Sequence, residues 1–478
     1  MRLTDLVDSE KDMEIKGVTA DSRSAGKGYL FAALPGHKTD GRKFISAAVS
    51  NGACAILAPS GTVLPENLPE DADVILVTDE NPRRAFALAA AKFYRLQPEN
   101  IAAVSGTSGK TSTVSFLQQL WALSGIKNCA SLGTLGVRAP GFTRPGSLTT
   151  PDPVALYADL ADLAAAGITH LAMEASSHGL DQYRLDGVRV TLAAFTNLSR
   201  DHLDYHADME AYFSAKERLF TEILPPDATA VINADDAYGQ RLLKSCVQKT
   251  IGFGKAGEDI LLKSCVPDPR GQAVILDVQG REYNVTLPLV GEFQVMNALC
   301  ALGLLMAGGA GAEDAVPLLE NLKGVPGRLQ LVAAHPKGAA VYVDYAHKPA
   351  ALETILKTLR PHTKGRLICL FGCGGDRDRG KRPMMGKIAS DLADLVVVTD
   401  DNPRSEDPAL IRQEILEAAP GAREIAGRQE AIEWAVSQAQ EGDVLVVAGK
   451  GHEQGQIFSD RREEFDDTQE VKNAMKRV

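Results

Sequence analysis

Aromatic residues are scarce in this chain, 5% of the total with only two tryptophans, and cations are outnumbered: 51 Lys and Arg face 62 Asp and Glu, a net charge of -11. Such a balance lacks the basic footprint of broad nucleic-acid binding, so no nucleic-acid partner is expected. It leaves room for local basic clusters that hold an anionic substrate. No apolar run reaches membrane-spanning length, and Met1-Arg2-Leu3-Thr4-Asp5 has no apolar signal-peptide centre. No membrane insertion and a cytoplasmic location are expected. The seven cysteines are scattered, odd in number and never spaced Cys-x-x-Cys. That argues against a disulfide framework and for reduced, mostly buried thiols. No repeat architecture is evident.

What is present is ordinary for a globular protein: 478 residues, 45% hydrophobic and 24% charged. The length exceeds one core and suggests about three domains. Asn100-Ile101-Ala102-Ala103-Val104 reads as a buried strand, and a helix is expected from Thr113 to Trp121. Between them lies Ser105-Gly106-Thr107-Ser108-Gly109-Lys110-Thr111-Ser112. Strand, glycine loop, Lys-Thr and helix is the arrangement that cradles nucleotide phosphate. Gly106, Thr107, Ser108, Gly109 and Ser112 supply the cradle. Lys110 is expected to reach the terminal phosphates and the Thr111 hydroxyl to hold magnesium. Val104 stands where the usual pattern has a further glycine, so the loop is shorter than the standard one.

Three regions follow from the alternation of apolar runs and turns. Residues 1–97 read as a small α/β domain, with strands at Ala53–Leu57 and Val74–Val77 and a helix from Arg84 to Tyr94. Residues 98–328 read as a parallel sheet covered on both faces, with Glu174 and His202 delivered beyond strand ends toward the phosphate loop. Alternating short strands, an antiparallel insertion, are expected between Arg270 and Val290. Val325-Pro326-Gly327-Arg328 is expected to be a linker. Residues 329–478 read as a doubly wound sheet whose strands end in polar clusters, including Asp344, Cys373–Arg379, Asp400–Arg404 and Gly449–Glu453. The basic run Arg377, Arg379, Lys381 and Arg382, with Arg404, is expected to grip carboxylates or phosphate. Asp401-Asn402-Pro403-Arg404 nearly repeats Glu80-Asn81-Pro82-Arg83; the earlier copy reads as a helix start and only the later one as functional. Read from its helical neighbours alone, Lys216 is a surface charge.

Taken together, the phosphate loop, Met173–Leu180, Thr196–His206, Asp344–His347, Phe371–Asp378 and Gly449–Glu453 make the chain resemble the Mur ligase family over essentially its whole length. The resemblance implies an α/β protein of three domains: a small UDP-binding domain, a central P-loop ATPase-like domain and a C-terminal Rossmann-like domain. It implies ATP-dependent amide formation through an acyl phosphate, with magnesium, in peptidoglycan precursor synthesis. The implied substrates are UDP-MurNAc-L-Ala-D-Glu and meso-diaminopimelate, and a monomer is expected. Ser22, His37, Lys38 and Thr39 would face the UDP-sugar. Thr149, Thr150, Ser176, Gln182 and Arg184 would hold the muramoyl-peptide. Asn297, Arg328 and Asp344 would contact nucleotide, while Thr111, Glu174 and His202 would serve magnesium. Lys216 matches the family's carbamylated lysine; it would be catalytic together with Lys110 and His202, and would face magnesium together with Thr111, Glu174 and His202. Arg377, Asp401, Asn402, Pro403, Arg404, Gly449 and Glu453 match the amino-acid pocket. Ser108 replaces a common Asn, and Lys38-Thr39 a Gln-Ala type of pair. A sibling ligase adding L-lysine or acting on a folate-like substrate, and a nucleotide-dependent binding protein without ligase activity, remain the alternatives.

Overall fold

Apolar runs bounded by turns become strands along most of the chain. The computed structural model describes residues 1–36, 39–69, 73–146, 148–268 and 271–478. They form two compact units, Met1–Leu261 with Asp277–Arg281 and Asn297–Val316, and Leu262–Leu276 with Glu282–Met296 and Pro317–Val478.

The first unit begins with a parallel sheet of β1 (Gly17–Thr19), β2 (Tyr29–Ala32), β3 (Ala53–Pro59) and β4 (Ile75–Asp79), paired in chain order. β3 is apolar on both faces because both are covered: Ala55 and Leu57 enter one core, Ile56 and Ala58 another. The helix Pro82–Tyr94 starts two residues before the expected Arg84. Asn81 caps it through a bond from the Arg84 N–H, and Pro82 sits in the first turn, where its missing N–H costs nothing. Phe86, Ala87 and Ala90 of this helix share a core with Leu156, Tyr157 and Leu160 of the helix Pro153–Ala165.

The central sheet of this unit contains β5 (Asn100–Ser105), β6 (Cys129–Gly133), β7 (Gly136–Ala139), β8 (Phe142–Arg144), β9 (His170–Glu174), β10 (Leu192–Phe195), β11 (Thr229–Asn233) and β12 (Lys249–Gly254). Their order is β12-β11-β10-β5-β9-β6-β7-β8. Pairing is parallel from β12 to β6, and β7 and β8 run antiparallel. β5 lies between β10 and β9, with Val104 opposite Glu174 and Ser105 opposite Phe195. Chain order reverses around β5, which opens a crevice at its carboxyl end.

β13 (Ile260–Asp268) is followed by β14 (Gly271–Val278) and β15 (Arg281–Leu287), most of whose residues belong to the second unit. The turn between the last two places Gln279 and Gly280 at φ 54° and 82°, as a two-residue hairpin turn requires. Arg270, the expected start of this segment, lies outside the described residues. The C-terminal sheet holds β16 (Gln330–Ala334), β17 (Ala340–Asp344), β18 (Leu367–Phe371), β19 (Leu395–Val398), β20 (Arg423–Glu424) and β21 (Val444–Ala448), ordered β16-β17-β21-β18-β19-β20. Only β16 is antiparallel. Cys369 and Phe371 of β18 enter one core and Ile368 and Leu370 the opposite one. A short antiparallel ribbon, β22 (Gln456–Ile457) and β23 (Arg462–Glu463), follows.

Among the described residues no helix is long and apolar enough to cross a membrane. All seven cysteines are free, four of them buried. Burial pushes the Cys369 and Cys373 thiols up to about 12.

Candidate active site

The loop after β5 is shaped by two glycines in the left-handed region, Gly106 at φ 147° and Gly109 at φ 89°. A methyl on Gly106 would strike Thr196 Oγ1, and one on Gly109 would strike Asn297 Oδ1. The residues after β10 brace the loop. The Thr107 N–H donates to the Asn197 carbonyl (2.8 Å), the Ser108 N–H to Asn197 Oδ1 (3.0 Å), and Thr196 Oγ1 to the Ser108 carbonyl (2.6 Å). The helix starts at Lys110, three residues earlier than expected, and no side chain caps it. Its first N–H groups therefore face the loop, where they can bind an anion. Thr111 and Ser112 are buried in that first turn.

Two lysines meet on one carbonyl of this loop. Lys110 Nζ donates to the Gly106 and Thr107 carbonyls (2.8 and 3.0 Å), and Lys216 Nζ donates to the Gly106 carbonyl (2.7 Å). Lys216 is only 1% exposed, which overturns its reading as a surface charge. The helix Met209–Arg218 and its continuation turn Tyr212, Phe213, Lys216 and Phe220 inward together. Desolvation lowers the Lys216 pKa well below 10.5, the Lys110 charge adds to the shift, and Asp201 opposes it. The Tyr212 ring lies under the amine, 4.6 Å from Nζ, and its hydroxyl is 3.1 Å from Thr107 Oγ1.

Glu174, at the end of β9, is buried and accepts from the Thr134 N–H at 2.7 Å. His202 adopts φ 53°, with its Nε2 3.6 Å from Asp201 Oδ2. Its ring lies 4.9 Å from that of His178 and 6.1 Å from that of Tyr212. Nearby, Thr150 Oγ1 donates to the Glu174 carbonyl (2.9 Å) and accepts from the Ser176 N–H (3.0 Å). Arg184 donates to the Thr150 carbonyl and to Gln182 Oε1, both at 2.7 Å, and Gln182 donates to the Tyr205 hydroxyl (3.2 Å). Thr149 Oγ1 lies 3.2 Å from Thr134 Oγ1. A cleft of about 470 Å³ opens beside this network, lined by Gly36, Arg83, Gln182, Tyr205 and His206 among others.

In the second unit, Asp344 at the end of β17 accepts from the Leu329 and Ala346 N–H groups (2.6 and 2.7 Å). Burial raises its pKa, and nearby Arg328 opposes the shift. The Arg328 guanidinium lies 4.8 Å from the centre of the Tyr345 ring. Beyond β19, Asp401, Asn402 and Pro403 are buried and Arg404 is half-buried at φ 54°. The Arg404 N–H donates to the Ile457 carbonyl (3.0 Å) and its Nη1 to the Gly375 carbonyl (2.7 Å). Asn402 Nδ2 donates to Glu453 Oε2 (3.0 Å), and Gly449 packs close to Asp401 Oδ2.

Comparison with known proteins gives these sites a context. The family model described as the Mur ligase middle domain matches residues 104–305, the Mur ligase glutamate ligase domain matches 327–451, and the Mur ligase catalytic domain matches 14–94. A protein of Brucella melitensis named UDP-N-acetylmuramoyl-L-alanyl-D-glutamate–2,6-diaminopimelate ligase is 52% identical over 97% of this chain and 94% of its own length. The chain belongs to the Mur ligase family. A Caulobacter vibrioides protein of the same name is 51% identical to this Mur ligase, covering 100% of this chain and 99% of its own. A solved structure with that name superposes at a TM-score of 0.72 with 35% identity, over 100% of this chain and 99% of the other.

In the first unit of this Mur ligase, Gly106–Ser112, Asn297 and Lys216 stand around one loop, with Glu174 at the neighbouring strand end. Thr150, Ser176, Gln182 and Arg184 form one bonded network. In the second unit, Arg328 accompanies Asp344, and Asp401–Arg404 accompany Gly449 and Glu453. Arg377 is exposed, Ser22 is half-buried and Thr39 exposed, while His37 and Lys38 lie outside the described residues. Three cations of the basic run expected to grip an anion are engaged by the protein instead. Arg382 is fully buried between Glu406 and Glu414, Arg379 also binds Glu414, and Lys381 donates to the His347 carbonyl. Folding consumes Arg382 because a buried guanidinium requires partners, while Arg379 pairs at the surface. Tyr212 and Lys450 carried no role in the sequence reading. The signal for Tyr212 was its position four residues before Lys216, on the same helix face.

Thr111 and Glu174 offer hard oxygen donors of the kind magnesium takes while keeping phosphate oxygens and water. No group of three or more His, Cys, Asp or Glu side chains is gathered for a metal among the described residues. The wall of Glu174 is tight: a methyl on Gly133 would collide with its carboxylate. Gly133→Ala is therefore expected to raise the magnesium concentration needed for half-maximal ATP turnover about tenfold, an effect of about 1.4 kcal/mol. Magnesium titration of the pure variant measures it, and an unchanged midpoint would separate Glu174 from the metal.

Proposed function

We propose that this chain is the ATP-dependent ligase that joins meso-2,6-diaminopimelate to UDP-N-acetylmuramoyl-L-alanyl-D-glutamate in peptidoglycan precursor synthesis. The observation that carries the reading is Arg404, held at the tip of β19 beside Asn402 and Glu453, in a chain about half identical to ligases of that name over nearly their full length. Diaminopimelate has a second carboxylate, and the planar guanidinium fork matches it with two parallel bonds. Lysine shares the distal ammonium and lacks that carboxylate, so it leaves the fork without an anion.

A free carboxylate is a poor electrophile, so the muramoyl-peptide carboxylate takes the γ-phosphoryl group of ATP and becomes an acyl phosphate. The diaminopimelate amine then attacks the acyl carbon and phosphate departs. Lys110 and the first turn of the helix Lys110–Leu123 hold the transferring phosphate, where clustered positive charge stabilises the transition state. Magnesium, when bound, neutralises phosphate charge and is served by Thr111, Glu174 and His202. Burial favours the uncharged form of the Lys216 amine; that form adds to carbon dioxide and loses a proton, giving a carbamate anion that would offer oxygen to magnesium. Asn297, Arg328 and Asp344 contact the nucleotide. Ser22, His37, Lys38 and Thr39 face the UDP-sugar, and Thr149, Thr150, Ser176, Gln182 and Arg184 hold the muramoyl-peptide. Arg377, Asp401, Pro403 and Gly449 complete the amino-acid pocket. The domain boundaries belonging to this reading are 1–97, 98–328 and 329–478, and the enzyme acts as a cytoplasmic monomer.

Phosphate release is expected only with ATP, UDP-MurNAc-L-Ala-D-Glu and meso-diaminopimelate together. A panel of amino acids in a phosphate-release assay tests this. Equal turnover with L-lysine would overturn the specificity, and inertness with every acid–amine pair would leave a nucleotide-binding protein.

A further inference from the structure

The tip of β19 carries a chain of contacts that phosphate chemistry does not use. Asn402 Oδ1 accepts from Lys450 Nζ (2.9 Å) and from the Ile457 N–H (3.0 Å), while Nδ2 donates to Glu453 Oε2 (3.0 Å). With two donors on the oxygen and one acceptor on the nitrogen, only one orientation of the amide is satisfied. Lys450 is fully buried, and its Nζ also lies 3.5 Å from Glu453 Oε2. The Glu453 N–H returns to the Lys450 carbonyl (3.0 Å), so one tight turn carries both side chains. Fully buried lysines are rare without partners, because the ammonium loses its hydration. Desolvation lowers the Lys450 pKa, while Asp401 and Glu453 favour its charge. The packing itself does not need an ammonium here; the amide of Asn402 does.

We propose that Lys450 is a positioning residue for amino-acid recognition: its ammonium fixes the Asn402 amide, and through it the Glu453 carboxylate, in the orientation that receives the incoming amino acid. This rests on the ligase reading above. Without the ammonium, Oδ1 keeps only the Ile457 N–H. The amide can then turn and set its oxygen against the Glu453 oxygen, two acceptors face to face.

Lys450→Met preserves the length and removes the charge. It is expected to raise KM for meso-diaminopimelate about thirty-fold, the worth of one charge-assisted hydrogen bond, while KM for ATP stays within about twofold. A purely structural role would lower the folded fraction and leave KM of the folded enzyme unchanged, which would overturn the proposal. Lys450→Gln, a neutral donor, is expected to recover part of the loss and serves if the methionine variant does not fold. Because Lys450 acts through Asn402, adding Lys450→Met to Asn402→Ala is expected to change KM no more than about twofold further. Multiplied effects would refute the coupling. The side-chain amide signal of Asn402 in isotope-labelled, ligand-free full-length protein, assigned by its loss in Asn402→Ala, is expected to move in Lys450→Met. An unmoved signal would overturn the positioning role. A moved signal in a protein whose wild type ignores meso-diaminopimelate would instead overturn the ligase reading.

Discussion

Lys216→Met is expected to lower kcat about 1000-fold while the protein becomes more stable, not less. The loss follows from the role proposed for Lys216, whose carbamate would carry an anion toward magnesium; losing a single preorganised electrostatic group costs on this scale. The gain follows from burial. The wild-type amine is almost wholly excluded from water and faces the Lys110 charge, so its folded pKa lies well below 10.5. The unfolded chain binds a proton that the folded chain gives up, and stability rises with pH from the lowered folded value up to 10.5. At neutral pH this term opposes folding, and methionine removes it at the cost of one bond to the Gly106 carbonyl. Denaturant melts in carbon-dioxide-free buffer at neutral and alkaline pH measure both effects. Equal pH slopes for wild type and variant would show that the amine is not held neutral. A variant retaining substantial kcat would remove Lys216 from the reaction.

Arg404→Ala is expected to raise KM for meso-diaminopimelate about 100-fold, close to 2.7 kcal/mol, with KM for ATP within about twofold. Arg404→Lys is expected to recover little of this, since an ammonium is a point charge and lacks the fork. Steady-state kinetics with each substrate varied in turn provide the measurement. An unchanged KM for meso-diaminopimelate would mean that the second carboxylate is recognised elsewhere. The near-repeat in the first region is an internal contrast. Asn81 caps a helix and Pro82 begins it, whereas Asn402 turns inward to Glu453 and Arg404 takes a left-handed conformation. The same residue types start a helix where an apolar helical stripe follows, and follow a strand where the loop is bonded to Glu453 and Ile457.

Much of the fold could be read from local pattern. Strands covered on both faces, such as Ala53–Pro59 and Leu367–Phe371, are apolar throughout and stand out from their turns. The phosphate loop was legible because its glycines, lysine and flanking elements are contiguous. Charge burial was not legible, because it depends on partners distant in sequence. Lys216 interrupts an inward stripe with Tyr212, Phe213 and Phe220, and periodicity treats any lysine as solvated. Arg382 looked like part of a ligand-gripping cluster until Glu406 and Glu414, from beyond the next strand, were seen to hold it. Helix starts were displaced as well: Pro82, and the weak helix formers Thr111 and Ser112 after Lys110, are poor interior residues by composition, but the first turn accepts them.

The guanidinium of Arg404 is already engaged by the main-chain oxygen of Gly375. On the reading proposed above, this bond would hold the fork at a set angle before any guest arrives, with most of its N–H donors left to meet a carboxylate. A side chain ending in a methyl or an ammonium would find no use for them. A second carboxylate would meet a partner whose ordering is already complete, so the cost of fixing the long side chain would fall on folding rather than on binding.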